Sequence, residues 1–169
     1  MHDPRAIANA IIAVGDSYGL TFTNLQMQKL VYLAHGYHLR ATGKPLVSEQ
    51  FEAWDFGPVS RTLYTALKAF GEEKVLQRIE AFDPIKRCPV PIRGVDDSDA
   101  KIAVQRVVDI YGQWSAFDLV QLTHSFGSPW SRTMESAASR ANLGMKIEDE
   151  IILNHFEGFE TDSYVEETD

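Results

Sequence analysis

The stretch from Thr23 to Gly43, TNLQMQKLVYLAHGYHLRATG, decides how the rest of the chain is read. Thr23, followed three residues later by Gln26, is a capping box, in which each side chain satisfies a backbone N–H of the other at a helix start. Met27, Leu30, Val31, Ala34 and Tyr37 recur at helical spacing and form one apolar stripe. Gly43 supplies the stop, because glycine adopts the left-handed conformation that ends helices.

The neighbouring segments extend the helical pattern. Asp3-Pro4 reads as an N-cap with proline at the first helical position, and Ile7, Ile11, Val14 and Tyr18 carry a first helix to about Ser17 before Gly19. Phe51, Ala53 and Asp55 alternate with Glu52, Trp54 and Phe56, which predicts a short strand or one arm of a small hairpin. Gly57-Pro58 is then expected to turn the chain and open a third helix bearing Val59, Leu63, Leu67 and Phe70, followed by a charged helix over 72–79. Residues 81–97 hold Pro84, Pro89 and Pro91, then Gly94 and Asp96-Asp97, so an irregular connector is expected there, extended in part and long enough to be a contact or lid region. Ile102, Val104, Val107, Val108 and Tyr111 restore the helical period. Ser115 with Asp118 repeats the capping pattern, Ser128-Pro129 opens a further helix, and a last helix spans 148–156. The expected fold is mainly α: a single compact helical domain over residues 1–156 with a small β-hairpin or short strands, then an acidic tail at 157–169.

Composition bounds the function. The 169 residues, 44% hydrophobic and 24% charged, match a globular domain that buries enough surface to fold without a metal or disulfide. Cys88 is the only cysteine, which excludes an intramolecular disulfide framework and a cysteine-based zinc site and favours a reducing, cytoplasmic setting. No apolar run approaches the ~20 residues of a membrane span, and the N-terminus carries no signal-peptide core, so neither secretion nor membrane insertion is expected. The net charge of −8 is uneven: residues 1–146 sum to +1, and the remainder holds nine acids and no base. An acidic C-terminus repels phosphate backbones, which argues against a nucleic-acid partner and suits either a solvated tail or attraction of a basic protein.

Catalytic signatures are weak. His35 and His38 have helical spacing for a metal, but no nearby carboxylate completes a ligand set, and the expected placement is one partly buried and one exposed histidine. Ser125 or Ser128, His124 and Asp118 can be drawn as a hydrolase triad, yet no nucleophile elbow accompanies them and helix capping explains the serines and the aspartate. Gly43-Lys44 lacks the rest of a phosphate loop. No catalytic residue, cofactor or metal is expected.

Four motifs carry a more specific likeness. Leu25 to Leu39 (LQMQKLVYLAHGYHL) resembles the LQKLLYYAqgwHL helix of the SocA-like, Panacea-domain antitoxin family, and Gly43-Lys44-Pro45-Leu46 follows at that family's interval. Phe51 to Val59 (FEAWDFGPV) is similar to its EAWxyGPV element. Leu122-Thr123-His124 and Gly127-Ser128-Pro129-Trp130 resemble its LTH…GSPW pattern. Val31 and Leu33 depart from the family spelling but stay apolar, and the likeness runs from about Ile7 to Phe156.

The resemblance implies a non-enzymatic antitoxin of a bacterial or prophage two-gene system that neutralises a co-encoded toxin by direct protein–protein binding. One branch of the family instead delivers its toxin to a ClpXP-type protease. Some relatives carry a separate DNA-binding domain, for which this chain has no room. The partner-binding positions it suggests are Gln28, Lys29, Tyr32, Trp54, Phe56, His124 and Trp130. Large aromatics of this kind are enriched at interface hot spots, although a tryptophan beside Gly-Pro more often anchors a hairpin to helices. Lys29 is expected to bridge to Glu52 or Asp55 and fasten helix to hairpin.

Overall fold

The structure, a computed structural model, describes residues 1–138 and 145–159. In chain order the elements are α1 (Pro4–Ser17), β1 (Phe22–Thr23), α2 (Asn24–Thr42), β2 (Glu52–Trp54), β3 (Gly57–Val59), α3 (Arg61–Leu67), a 3-10 turn (Lys68–Phe70), β4 (Lys74–Val75), β5 (Glu80–Asp83), β6 (Cys88–Pro91), α4 (Ser98–Tyr111), α5 (Ala116–His124), α6 (Pro129–Ala138) and α7 (Asp149–Glu157). The class is mainly α, as expected. Most of the acidic tail, residues 160–169, lies outside the described residues.

The local signals act as capping chemistry requires. The Asp3 carboxylate accepts from the Arg5 N–H. Thr23 and Gln26 form both halves of their capping box, and Gly43 closes α2 at φ +67° with its N–H on the Leu39 carbonyl. Ser115 and Asp118 form the second box, and Ser128 Oγ accepts from the Ser131 N–H at the start of α6.

The role of α2 differs from the amphipathic expectation. Every residue from Gln26 to Leu39 is buried, the polar ones included. The helix is the axis of the molecule: α1, α3, α4, α5 and α7 all pack against it. Its polar side chains therefore need interior partners. His35 and His38 are both buried, so neither is the exposed histidine expected from the sequence. His35 Nε2 lies 3.1 Å from Asp149, and His38 Nδ1 lies 2.8 Å from the Lys44 carbonyl. The Tyr37 and Tyr111 hydroxyls meet at 2.8 Å.

Three further expectations are corrected. Gly57-Pro58 is not the turn: it lies in β3, paired as Ala53↔Pro58 and Trp54↔Gly57, and Asp55-Phe56 makes the bend. The third helix accordingly starts at Arg61, capped by Ser60 through the Leu63 N–H. The charged helix over 72–79 does not form. β4 instead pairs with β1, putting Val75 beside Phe22, and both of these side chains are buried. The proline-rich connector is an ordered hairpin of β5 and β6. At β4 a non-local strand partner outweighs weak helical periodicity. After β2 the sheet gains a neighbour from far along the chain, because Ala53 donates to the Met145 carbonyl and Ile147 to that of Phe51.

α7 docks on α2 where Gly36 leaves room. The Phe156 ring sits T-shaped to Tyr32 and Tyr37, and a Cβ built at Gly36 would lie 2.2 Å from its Cζ. Helix propensity alone favours Gly36→Ala by about 1 kcal/mol. The clash with a ring that has no free space predicts the opposite sign, a loss of about 2 kcal/mol. Urea unfolding of the variant measures which term wins.

Candidate functional site

The family-motif residues meet where the β2–β3 hairpin is clamped between α2 and the α5–α6 corner. Lys29 is fully buried, and its Nζ donates to the Pro58 carbonyl at 2.9 Å. Burial, with no carboxylate to offset it, pushes the amine down to about 7. The expected ion pair with Glu52 or Asp55 is absent because Glu52 is already taken. It accepts two bonds from Arg61, at 2.7 and 3.0 Å, and one from the Trp54 indole N–H at 2.8 Å. The Arg61 guanidinium holds that carboxyl below its ordinary range.

Gly57 fixes the approach. Its φ of +97° is open to glycine, and a Cβ there would stand 2.9 Å from Lys29 Nζ and 3.0 Å from Thr123 Oγ1. One residue beyond β3, the Ser60 N–H donates to Gln28 Oε1 at 2.9 Å while its hydroxyl donates to Glu49. Both faces of the hairpin are thereby tied to their neighbours.

The α5–α6 corner closes the other side. Trp130 donates its indole N–H to the Trp54 carbonyl at 2.8 Å, and its ring stacks on His124 at 3.8 Å with 2° between the planes. Burial, followed by the nearby Lys29 charge, pushes the His124 imidazole pKa down and favours its neutral form. The Trp54 ring rests on Tyr64 at 4.8 Å beneath the Arg61 guanidinium.

The seven sequence-predicted positions thus divide. Gln28, Lys29, Tyr32, Trp54, His124 and Trp130 are built into the junction. Tyr32 is buried between Phe51 and Phe156, and burial pushes its phenol pKa upward. Phe56, at the hairpin bend, is 67% exposed. Phe117, expected in the apolar pattern of the helix that Ser115 opens, is instead 69% exposed in the first turn of α5, and Phe126, between α5 and α6, is 97% exposed. Phe126 precedes Gly127 at φ +77° and belongs to no helical period, which is the signal that was available for it.

The paper triad does not assemble. Asp118 is bonded to Ser115, Ser125 Oγ to the Leu122 carbonyl, and Ser128 to the Ser131 N–H, while His124 Nε2 has no hydrogen-bond partner. Among the described residues no group of three metal-ligating side chains converges, and no helix is long and apolar enough to cross a membrane.

The site is a packed helix–hairpin–corner unit with an exposed aromatic at its bend. The family model described as "Antitoxin SocA-like, Panacea domain" matches residues 27–131, the span that contains this junction, and the chain belongs to that family. A protein named Antitoxin SocA, from Caulobacter vibrioides (strain NA1000 / CB15N), is 33% identical over 154 residues, which is 91% of this chain and 82% of that relative. No solved structure matches.

The buried amine makes stability depend on pH. The unfolded lysine holds its proton to its ordinary pKa of 10.5, whereas the folded one releases it near 7. Between those values the unfolded state carries the extra proton, so stability rises with pH across that window and levels off below it. Relative to Lys29→Met, the natural protein is expected to gain about 2 kcal/mol between pH 7 and 9. Parallel stability curves in urea for the two proteins would rule out a buried, titrating Lys29.

Proposed function

We propose that the chain neutralises a co-encoded toxin by binding it directly and covering its active surface, in the cytoplasm of a bacterium, as one half of a two-gene or prophage system. Membership of the antitoxin family carries this reading. The junction supports it physically. Six of the seven candidate positions hold the hairpin in place, and the seventh, Phe56, projects from it as a preorganised aromatic contact. A backbone held this way loses little freedom on binding, which favours affinity. Occlusion requires only a complex tight at cellular concentrations. A nanomolar dissociation constant is about −12 kcal/mol, within reach of an interface of ordinary size.

The product of the adjacent gene, expressed alone, is expected to arrest growth, and co-expression of this chain to restore it. Phe56→Ala is expected to weaken the purified complex about 30-fold, equivalent to about 2 kcal/mol, with no change in unfolding. Toxin half-life is expected to be the same with and without a ClpXP-type protease. A half-life shortened only when the protease is present would replace occlusion with delivery, and a harmless neighbour would remove the antitoxin reading.

A further inference from the structure

The end of α2 and the first half of α4 enclose a cavity of about 350 Å³ beside Phe159, the last described residue. Tyr37 and Arg40 line it from α2, and Asp99, Ile102 and Arg106 from α4. Two of these side chains also reach Phe159. Arg40 donates to its carbonyl at 2.7 Å, and the Tyr37 ring lies T-shaped to its ring at 6.4 Å. Residue 160 therefore begins next to the cavity.

The lining holds two arginines and one acid. The Arg106 guanidinium lies over the Tyr37 ring at 4.9 Å, and its Nε is buried with no hydrogen-bond partner. Neither Arg106 nor Arg40 forms an ion pair among the described residues. Asp99 stands two turns before Arg106, about 10 Å from it along the helix axis. The other acids of these elements are placed elsewhere: Asp97 faces His2 at 3.6 Å, Asp109 accepts from Tyr18, and Glu157 of α7 is exposed outside the lining. Lys44, just past α2, and Lys101 are exposed cations without an ion-pair partner among the described residues. Ile102 adds an apolar side chain that is 65% exposed. Residues 160–169, ETDSYVEETD, have the matching composition: five acids, no base, and one apolar pair, Tyr164-Val165.

We propose that the α2–α4 cavity is the docking site of the chain's own segment 160–165, with Glu160 and Asp162 on Arg40 and Arg106 and with Tyr164-Val165 over Ile102. Connection favours this occupant. Tyr164 is five residues past Phe159 and can reach about 17 Å, more than the distance between Asp99 and Arg106 along α4. A short tether gives an effective concentration in the millimolar range, so contacts too weak to hold a separate molecule suffice. The guanidinium fork of Arg106 is suited to a carboxylate, which it meets with two parallel bonds. An acidic segment of another protein would reach the two arginines only by displacing this one. The inference is independent of the antitoxin reading.

The test uses the full ¹⁵N-labelled chain and reads the backbone order parameters of Tyr164 and Val165. At low salt they are expected near the rigid-backbone value of about 0.85, and to fall below about 0.6 in Arg106→Gln. Salt at 1 M, which shortens the screening length to about 3 Å, is expected to lower them as well. Asp162→Asn, on the segment, and Ile102→Ser, at the exposed rim, are expected to act in the same direction. Neither removes a buried side chain, so both remain readable if Arg106→Gln unfolds the protein. Arg93→Gln, outside the cavity, is expected to change nothing. Order parameters below about 0.6 in the natural protein, values that survive both Asp162→Asn and Ile102→Ser, or an equal loss in Arg93→Gln would overturn the proposal. So would order that appears only as concentration rises, together with a dimer in sedimentation, since the cavity would then hold the segment of a second copy.

Discussion

A helix surrounded on all sides cannot keep a polar side chain without finding it a partner inside the protein, and α2 is such a helix. Lys29 is its extreme case. An ammonium taken from water costs several kcal/mol, and no carboxylate pairs with Lys29 to offset that. The amine answers by losing affinity for its proton and by donating to one backbone carbonyl, that of Pro58. That carbonyl is fixed by the pairing of Pro58 with Ala53, so satisfying one side chain on the central helix also fixes where the hairpin lies across it.

The consequences spread outward by direct contact. Placing Pro58 over Lys29 brings Gly57 against Thr123 so closely that no side chain fits between them. β2 then presents the Trp54 carbonyl to Trp130, which carries His124 stacked on its face. Glu52, freed from Lys29, gathers Arg61 and the Trp54 indole and locks the start of α3 to the strand. Each step uses a residue type that the next contact needs. Glycine gives close approach, tryptophan offers both a donor and a stacking plane, and arginine has a fork that meets one carboxylate twice.

What the sequence made legible were the features that depend on near neighbours. The Thr23–Gln26 and Ser115–Asp118 boxes and the Gly43 stop are local chemistry, and they appear where the spacing put them. The same holds for the family motifs, whose positions converge on one junction. What stayed hidden depends on residues far apart in the chain. Nothing near Gln28 or Lys29 announces that five helices will enclose them, so a stripe was expected where the whole circumference is buried. Nothing in 72–79 shows that Val75 will find Phe22, some fifty residues earlier. Gly57-Pro58 carries a turn signature, but both residues pair with β2, as Trp54↔Gly57 and Ala53↔Pro58, and the bend moves to Asp55-Phe56. The exposure of Phe126 is a property of the assembled corner and not of any local period.

The junction also departs from what stability alone would select. Gln28 Nε2, the Tyr32 hydroxyl and His124 Nε2 are buried without a hydrogen-bond partner, and all three belong to the family motifs. Each such group costs about 1–3 kcal/mol, and a phenylalanine at 32 would fill the same space without that cost. Asn24 Oδ1 at the start of α2 and Arg106 Nε on α4 are buried without a partner as well, so the departures extend beyond the hairpin. Gln28 and Tyr32 meet the open end of the hairpin, at Ser60 and Phe51, and His124 stacks on the Trp130 that holds Trp54. A partner meeting Phe56 meets a side chain whose backbone is already held by the Lys29, Gln28 and Trp130 bonds on either side. In the proposed complex, affinity at Phe56 would then depend on residues that the partner does not touch.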